Sequence, residues 1–261
     1  MKEKIRQILA VLAPILFYLL ASEITAALLQ ILLEKAAGGS GAFGTFLAGH
    51  PGDRSLLILA GGTAAGLLSI FRTGRREIAM HEGIRKETGT AGVLILSAVC
   101  LAMAVNILFG FTGFMDSAFG QEAQRTMQEQ YSVPFLPGIA VYAMLVPLAE
   151  EMLFRGIVFS RLSARTGLLQ GALLSAALFG VYHGNLAQGI YGAVMGFVFA
   201  WSYSRTGHFA VPYLMHAVIN ALLFSLSVYG IFEKICTPVW FGVFLMLAAA
   251  GFLVPLRRRV R

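Results

Sequence analysis

The sequence predicts an all-α fold: a polytopic bundle of about eight transmembrane helices with both termini in the cytoplasm. Three observations predict it. Of the 261 residues, 57% are hydrophobic and 13% are charged, and the mean hydropathy is +0.75, so the chain is far more apolar than a soluble domain. Apolar runs close to the roughly 20 residues that cross a bilayer recur along the chain. Basic residues alternate between the intervening segments as they do between cytoplasmic and outward loops.

The apolar runs give eight predicted spans. They cover residues 8–33, 55–71, 92–111, 139–160, 168–183, 190–204, 209–228 and 239–256. Residues 34–54 are rich in glycine and small side chains, which predicts a flexible outward loop. Residues 112–134 carry four charged side chains and predict a surface helix. We interpret the chain as one membrane domain, with amino-terminal helices at 1–134, a core at 135–228 and a last helix with a basic tail at 229–261.

Charge placement supports the even number of spans. With the amino terminus inside, 16 of the 20 basic residues fall in inward segments. These are Lys2, Lys4, Arg6, Arg72, Arg75, Arg76, Arg85, Lys86, Arg155, Arg161, Arg165, Arg205, Arg257, Arg258, Arg259 and Arg261. We therefore interpret the net charge of +7 as the result of the protein's orientation in the cell membrane and of its contact with anionic lipids. No motif indicates a nucleic-acid partner.

Six polar residues lie in the apolar second half of the chain, in the patterns EExxxR, FxxxH and HxxxN. They are Glu150, Glu151, Arg155, His183, His216 and Asn220. Ionisable side chains are costly to keep inside a membrane span, so a cluster of them predicts a functional site.

The fourth span holds the first three of these residues. Pro147 removes a backbone hydrogen bond about one turn before Glu150, which can open the helix there. Glu151 and Arg155 are four residues apart on one face, so an ion pair can keep Glu151 charged, while Glu150 is rotated by about 100°. The alternative is an interfacial cluster in which Arg155 reaches lipid phosphates. Two adjacent acids deep in a span cannot both reach the surface, which favours a site.

Helix counting places His183 at the depth of Glu150. A hairpin that turns near Arg165 leaves Glu150 15 residues before the turn and His183 18 residues after it. At about 1.5 Å per residue, these separations are roughly 22 and 27 Å. A carboxylate that faces an imidazole in a partly dehydrated site can act as a general base. We expect the Phe179 ring to form one wall of that site. A single His at a helix end is more often an ordinary interfacial residue, but the match in depth favours the site.

His216 and Asn220 share one face of the seventh span, after a second proline kink at Pro212. Either side chain can donate a hydrogen bond to a developing oxyanion. The alternative is that both simply hold helices together. By counting, His216 lies only about 10 Å from the turn at residues 205–207, nearer the surface than His183. The site therefore requires tilted helices or a connection that dips into the bilayer.

Three motifs in this order resemble the CPBP intramembrane proteases. They are EEMLFR at 150–155, FGVYH at 179–183 and HAVIN at 216–220. That family contains the CAAX prenyl endopeptidases and the bacterial Abi or bacteriocin-immunity proteins. The resemblance covers roughly residues 135–228, and the first three spans show no recognisable match. It implies a membrane-embedded endopeptidase.

The resemblance also implies a role for each motif position. Glu150, together with His183, would activate a water molecule for attack on a peptide carbonyl. His216 and Asn220 correspond to the pair that forms the oxyanion site. None of the motif positions is substituted, so nothing marks the chain as an inactive member.

By the same resemblance, Glu151 and Arg155 would hold Glu150 in its geometry. Whether the family depends on a metal is disputed. If Zn²⁺ is present, Glu150, His183 and His216 are the expected ligands. The HExxH spacing of zinc proteases is absent from the sequence, however. We therefore expect a glutamate mechanism without a cofactor.

The implied substrate is a peptide or protein with a membrane-associated segment, of the CAAX, pheromone or bacteriocin type, cut near the cytoplasmic side. The alternative is a non-catalytic scaffold or a bacteriocin self-immunity factor of the same fold. A transporter would show duplicated halves, and none is evident. Glycine pairs at Gly180 and Gly184 and at Gly192 and Gly196 predict close helix packing, with a homodimer contact as the alternative.

Overall fold

The structure is a computed structural model that describes residues 2–82 and 89–257. The regular structure of these residues is helical and contains no strand, so the predicted all-α fold is confirmed. The helices are α1 (Lys2–Ala37), α2 (Ala42–Gly49), α3 (Pro51–Glu82), α4 (Ala91–Phe111), α5 (Gln121–Tyr131), α6 (Phe135–Thr166), α7 (Leu168–Tyr182), α8 (Leu186–Thr206), α9 (Ala210–Val228), α10 (Phe232–Ile235) and α11 (Pro238–Arg257).

Each predicted span falls on one of the longer helices, namely α1, α3, α4, α6, α7, α8, α9 and α11. Five of these, α1, α3, α4, α6 and α9, are long and apolar enough to cross a bilayer. The chain is therefore a polytopic integral membrane protein. The 15-residue α7 is shorter than a full span, so the count of eight spans and the cytoplasmic termini stay predictions.

The two long connections differ in how well they were predicted. The expectation of a flexible loop over 34–54 is wrong for its second half, because α2 forms there and Leu47 is fully buried. Its apolar, aromatic-containing sequence AFGTFLAG can fold back onto the bundle. The surface helix expected within 112–134 is confirmed as α5, whose Ala123 is buried while Glu122 and Glu129 are exposed.

Helix α6 is the centre of the bundle and is interrupted by two π-helical segments, Ile139–Leu145 and Met152–Phe159. Pro147 accounts for the first π-helical segment. The N–H of Val146 donates to the carbonyl of Val141, five residues back, but the next residue, Pro147, has no N–H to donate to the carbonyl of Tyr142. The short α-helical stretch between the two segments carries both glutamates. π-Helical turns of this kind are frequent at functional sites.

Apart from Arg155, the second π-helical segment carries apolar side chains all round it, and it is enclosed by other helices. Leu153, Phe154, Ile157, Val158 and Phe159 are all fully buried. Helices α1 and α3 pack on one side of α6, and α7, α8 and α9 pack on the other. A helix that is hydrophobic all round is expected to be buried in this way. The core thus holds the glutamate-bearing helix in a fixed position.

Three segments predicted to be cytoplasmic meet at one end of the bundle, which we call the basic end. There Arg161 pairs with Glu77 of α3 at 2.8 Å and donates to the carbonyl of Ala10 in α1. Arg165 donates to the carbonyl of Gln7 at 3.2 Å. The predicted cytoplasmic charges Arg85, Lys86, Arg258, Arg259 and Arg261 lie outside the described residues. The contacts agree with the predicted alternation of the loops.

The opposite end, which we call the α5 end, gathers the predicted outward segments. Gly52, at the start of α3, approaches Ser132 in the link between α5 and α6. Cys236, just before α11, donates to the carbonyl of Ile107 near the end of α4 at 3.6 Å. Helix α5 lies at this end and contacts α8 and α9.

Candidate functional site

A buried network joins three of the predicted site residues. Arg155 donates from Nη1 to Glu151 Oε1 at 3.0 Å, and both side chains are fully buried. His216 Nδ1 lies 2.9 Å from the same oxygen. The other oxygen of Glu151 has no hydrogen-bond partner among the described residues. The ion pair expected from the four-residue spacing is therefore present, and it also fixes a histidine from another helix.

Arg155 is held inside the protein rather than at a loop. Its guanidinium lies 4.4 Å from the Phe179 ring centroid and 5.1 Å from that of Phe199. Nη2 donates to the carbonyl of Gly196 at 3.1 Å, and a Cβ on Gly196 would stand 3.3 Å from Nη2. Counting Arg155 among the loop charges, or extending it to lipid phosphates, was wrong, because the bond to Glu151 and the two rings compensate its burial.

His216 lies between the two glutamates. Its Nε2 is 3.8 Å from Glu150 Oε2, and its ring stacks on Phe199 at 5.1 Å between centroids. Glu151 Oε1 accepts from Arg155 and, as a carboxylate oxygen, also accepts from His216. His216 Nδ1 therefore carries a proton, and Nε2 is the nitrogen that faces Glu150.

The expectation that His216 lies too near the surface was wrong, and the turn between α8 and α9 gives the reason. Thr206 is fully buried, and the N–H of Phe209 donates to Glu82 Oε1 of α3 at 2.8 Å. The turn is thus covered by the end of α3, which continues beyond its predicted apolar run. Of the two alternatives, a recessed connection is the one that the structure contains.

His183 ends α7 and lines the same cavity as Glu150, so the predicted match in depth agrees with the structure. Its Nδ1 lies 2.8 Å from the carbonyl of Phe179. A carbonyl only accepts, so Nδ1 carries the proton and Nε2 of the neutral ring keeps its lone pair. Gly192 of α8 packs on the ring edge, where a Cβ would stand 3.1 Å from Nδ1.

Asn220 contacts α6 where Pro147 interrupts its backbone hydrogen bonds. Its Nδ2 donates to the carbonyl of Tyr142 at 3.0 Å. In the i to i+5 pattern, that carbonyl would receive the N–H of residue 147, which proline lacks. Asn220 supplies the missing donor and thereby ties α9 to α6. An amide nitrogen carries two hydrogens, so one remains for another acceptor.

A cavity of about 290 Å³ connects these groups. Glu150, His183, His216 and Asn220 line it at the centre of the bundle, and Met127 and Tyr131 of α5 line it too. The cavity therefore extends towards the α5 end. The expected cut near the cytoplasmic side of the membrane stays a prediction.

The expected metal ligands line one cavity without forming a grouped metal site. Within residues 2–82 and 89–257, no group of three or more His, Cys, Asp and Glu side chains is placed to hold an ion. His183 and His216 each use Nδ1 for an oxygen acceptor, which leaves Nε2 of both rings available as a ligand. The reaction without a cofactor stays a prediction, with zinc on Glu150, His183 and His216 as the alternative.

Several contributors to the site were not predicted from the sequence. Phe199 flanks Arg155, and the carbonyls of Gly196 and Tyr142 each accept one site side chain. The glycine spacing was the available signal. Gly180 packs on Gly189, while Gly192 and Gly196 pack on His183 and Arg155, so these small residues serve packing between the site helices.

The fold and the site together define the class of protein: a polytopic membrane protein with a buried cluster of glutamate, histidine and arginine side chains. Residues 132–222 match the family model described as "Type II CAAX prenyl endopeptidase Rce1-like". This region contains all six predicted site residues. The resemblance to the CPBP family is thereby confirmed over that part of the chain.

Three curated relatives match parts of the chain. The chain is 26% identical over 158 residues to "Putative membrane peptidase YdiL" of Bacillus subtilis, which is 60% of this chain and 64% of the relative. It is 33% identical to "Uncharacterized protein YpbD" of Bacillus subtilis, over 35% of this chain and 47% of that protein. It is 27% identical to "UPF0177 protein YxdF" of Lactococcus lactis, over 34% and 49%. The chain spans less than two thirds of each relative, and no solved structure matches it.

Proposed function

We propose that this protein is an endopeptidase of the cell membrane that hydrolyses a peptide bond with water activated by Glu150 and His183. The observation that carries the proposal is their shared cavity. A carboxylate and a histidine with a free Nε2 lone pair line one cavity, and a hydrogen bond to a carbonyl sets the histidine tautomer. Such a pair can position a water molecule and accept its proton.

The proposed step conserves protons. As the water oxygen attacks the peptide carbonyl, one water proton passes to the Glu150 carboxylate. The tetrahedral intermediate carries an oxyanion, to which Asn220 donates its remaining amide hydrogen. The proton on Glu150 then moves to the leaving nitrogen as the C–N bond breaks, which yields a carboxylic acid and an amine. Transfer of the acid's proton to the amine gives a carboxylate and an ammonium ion.

His216 contributes to this step only in one protonation state. Its Nδ1 hydrogen is engaged by Glu151, so the neutral ring presents a lone pair at Nε2 and cannot donate to an oxyanion. The protonated ring donates from both nitrogens. As an oxyanion donor beside Asn220, His216 would therefore act in its protonated form.

The implied substrates are peptides or proteins with a membrane-associated segment, including CAAX, pheromone or bacteriocin-like peptides. Zinc is not part of the proposed step, which the side chains can carry out without a metal. Glu150 accepts the water proton, His183 orients the water, and His216 and Asn220 donate to the oxyanion.

The test compares the peptides that cells release from membranes when they express wild type, Glu150→Gln or His183→Ala at equal protein levels. Loss of the general base is expected to lower release at least about 100-fold. Glu129→Gln, an exposed glutamate on α5, is the matched control and is expected to leave release unchanged. Identical peptides from wild type and Glu150→Gln would contradict proteolysis. A cellular phenotype that survives both site variants would favour the scaffold or immunity alternative.

A further inference from the structure

The cavity is built from one half of the bundle only. Its walls include Phe109 near the end of α4, Tyr191 in the first half of α8 and Leu223 in the second half of α9. Those parts of the three helices all point towards the α5 end. Phe232 of α10 lines it at the same end.

The basic end of the bundle is closed beneath the site. Arg155, Phe154, Phe159 and Tyr203 are fully buried there, and the aromatic rings of Phe159 and Tyr203 lie 6.1 Å apart. The covered turn between α8 and α9 adds a further layer. A polypeptide entering from this end would have to displace the core of α6.

The chemistry of the walls limits what can bind. None of the described residues that line the cavity is a lysine or an arginine. Apart from the site, the polar side chains are amides and phenols, such as Asn106, Gln130 and Gln188, among many aromatic and methionine side chains. A substrate carboxylate or phosphate would find no counter-ion, and its desolvation would be costly.

We propose that the substrate enters from the α5 end, which the charge distribution places on the extracytoplasmic face, and that the bound segment has uncharged, largely apolar side chains. The substrate class is then an apolar segment of an exported or membrane-inserted polypeptide, bound away from its charged terminus. Among the proposed substrates this favours pheromone or bacteriocin-like peptides over a CAAX tail, which lies in the cytoplasm and is cut close to its terminal carboxylate. This inference rests on the proposed peptidase function for its substrate. The direction of access stands on the geometry of the bundle and on the positive-inside rule.

The direction of access can be tested by thiol labelling without any substrate. In a Cys100→Ser, Cys236→Ser background, single cysteines replace Met127 in the cavity, Gln128 on the exposed face of α5 or Thr166 at the basic end. A membrane-impermeant maleimide is applied to intact cells and, separately, to inverted vesicles. Cysteines at 127 and 128 are expected to react from outside, at least tenfold faster than the cysteine at 166. The order is expected to reverse in inverted vesicles.

The outcomes separate this inference from the proposed function. Reaction of the cysteines at 127 and 128 from the cytoplasmic face alone would overturn it, even if the protein proved to be a peptidase. If the cysteine at 127 is too enclosed to react, the cysteine at 128 reports the face by itself. Adding Glu150→Gln removes cleavage but is expected to leave the labelling pattern unchanged. Modification of the cysteine at 127 is expected to slow cleavage at least tenfold, and unchanged cleavage would overturn its place on the substrate path.

Discussion

Replacing Gly192 by alanine presses a methyl group against the proposed catalytic histidine. The new Cβ would lie 3.1 Å from His183 Nδ1 and 3.2 Å from Cε1, closer than an ordinary van der Waals contact. The ring must therefore move by a few tenths of an ångström. That motion pulls Nδ1 away from the carbonyl of Phe179, now 2.8 Å away, and turns Nε2 from its place in the cavity.

The magnitude follows from two opposing terms. Alanine in a helix interior is favoured over glycine by about 0.5–1 kcal/mol. Overpacking a tight contact costs about 1–3 kcal/mol, so we expect a net destabilisation of about 1 kcal/mol. A misplacement of about 1 Å can cost about 100-fold in rate, so a shift of a few tenths predicts a loss of about three- to tenfold.

The assay measures cleavage of a product-yielding peptide by purified protein in lipid vesicles, together with the thermal unfolding midpoint. Gly242→Ala is the matched control, because a Cβ there meets nothing within 4 Å and the residue lies in the second turn of α11. The control is expected to gain stability and keep its full rate. Equal rates for Gly192→Ala and wild type, with both folded, would refute the argument that this contact sets the position of His183.

Three further predictions concern other contacts of the site and the α5 end. Arg155→Met leaves the Glu151 carboxylate buried without its cation and is expected to lower the free energy of unfolding by about 3–5 kcal/mol. Adding Glu151→Gln should restore part of the lost free energy, and no recovery would contradict the pairing of Arg155 with Glu151. Asn220→Ala removes an oxyanion donor and the donor to the Tyr142 carbonyl, so the cleavage rate should fall about 100-fold and the free energy of unfolding by about 1–3 kcal/mol. A less stable variant with full activity would show that Asn220 serves packing alone. Burial raises the pKa of the Cys236 thiol, so its alkylation at neutral pH should be slower than that of an exposed thiol and should accelerate as pH rises; a rate independent of pH would contradict the burial.

The sequence predicts the membrane segments well because hydropathy reports them directly. It underestimates α3, predicted to span 55–71, because the helix continues to Glu82 through the polar residues Arg72, Arg75 and Glu77. Hydropathy describes the part of a helix that matches lipid, whereas the backbone continues for as long as packing supports it. That extension is what covers the turn before α9 and moves His216 to the depth of the glutamates.

In the site too, contacts between residues close in sequence could be predicted and contacts between distant helices could not. The pairing of Glu151 with Arg155 follows from four-residue spacing, which fixes a shared helix face. The contacts of Glu151 with His216 and of Asn220 with the Tyr142 carbonyl join helices far apart in sequence. They depend on how each helix is rotated, and residue spacing contains no information about that rotation. Pro147 signals a free carbonyl nearby but does not say which side chain will reach it.

The layer formed by Arg155 between Phe179 and Phe199 bears on how a hydrolase can work inside a bilayer. Water must reach the peptide bond, yet a continuous wet path would dissipate the proton and ion gradients of the membrane. The wall beneath the site is a packed layer: Phe179 and Phe199 line the cavity, and behind them the charge of Arg155 is compensated by Glu151. Such a layer leaves no room for a chain of water molecules that would carry protons or ions. Under the proposed function, water would reach the peptide bond from one side while the membrane stays tight to ions.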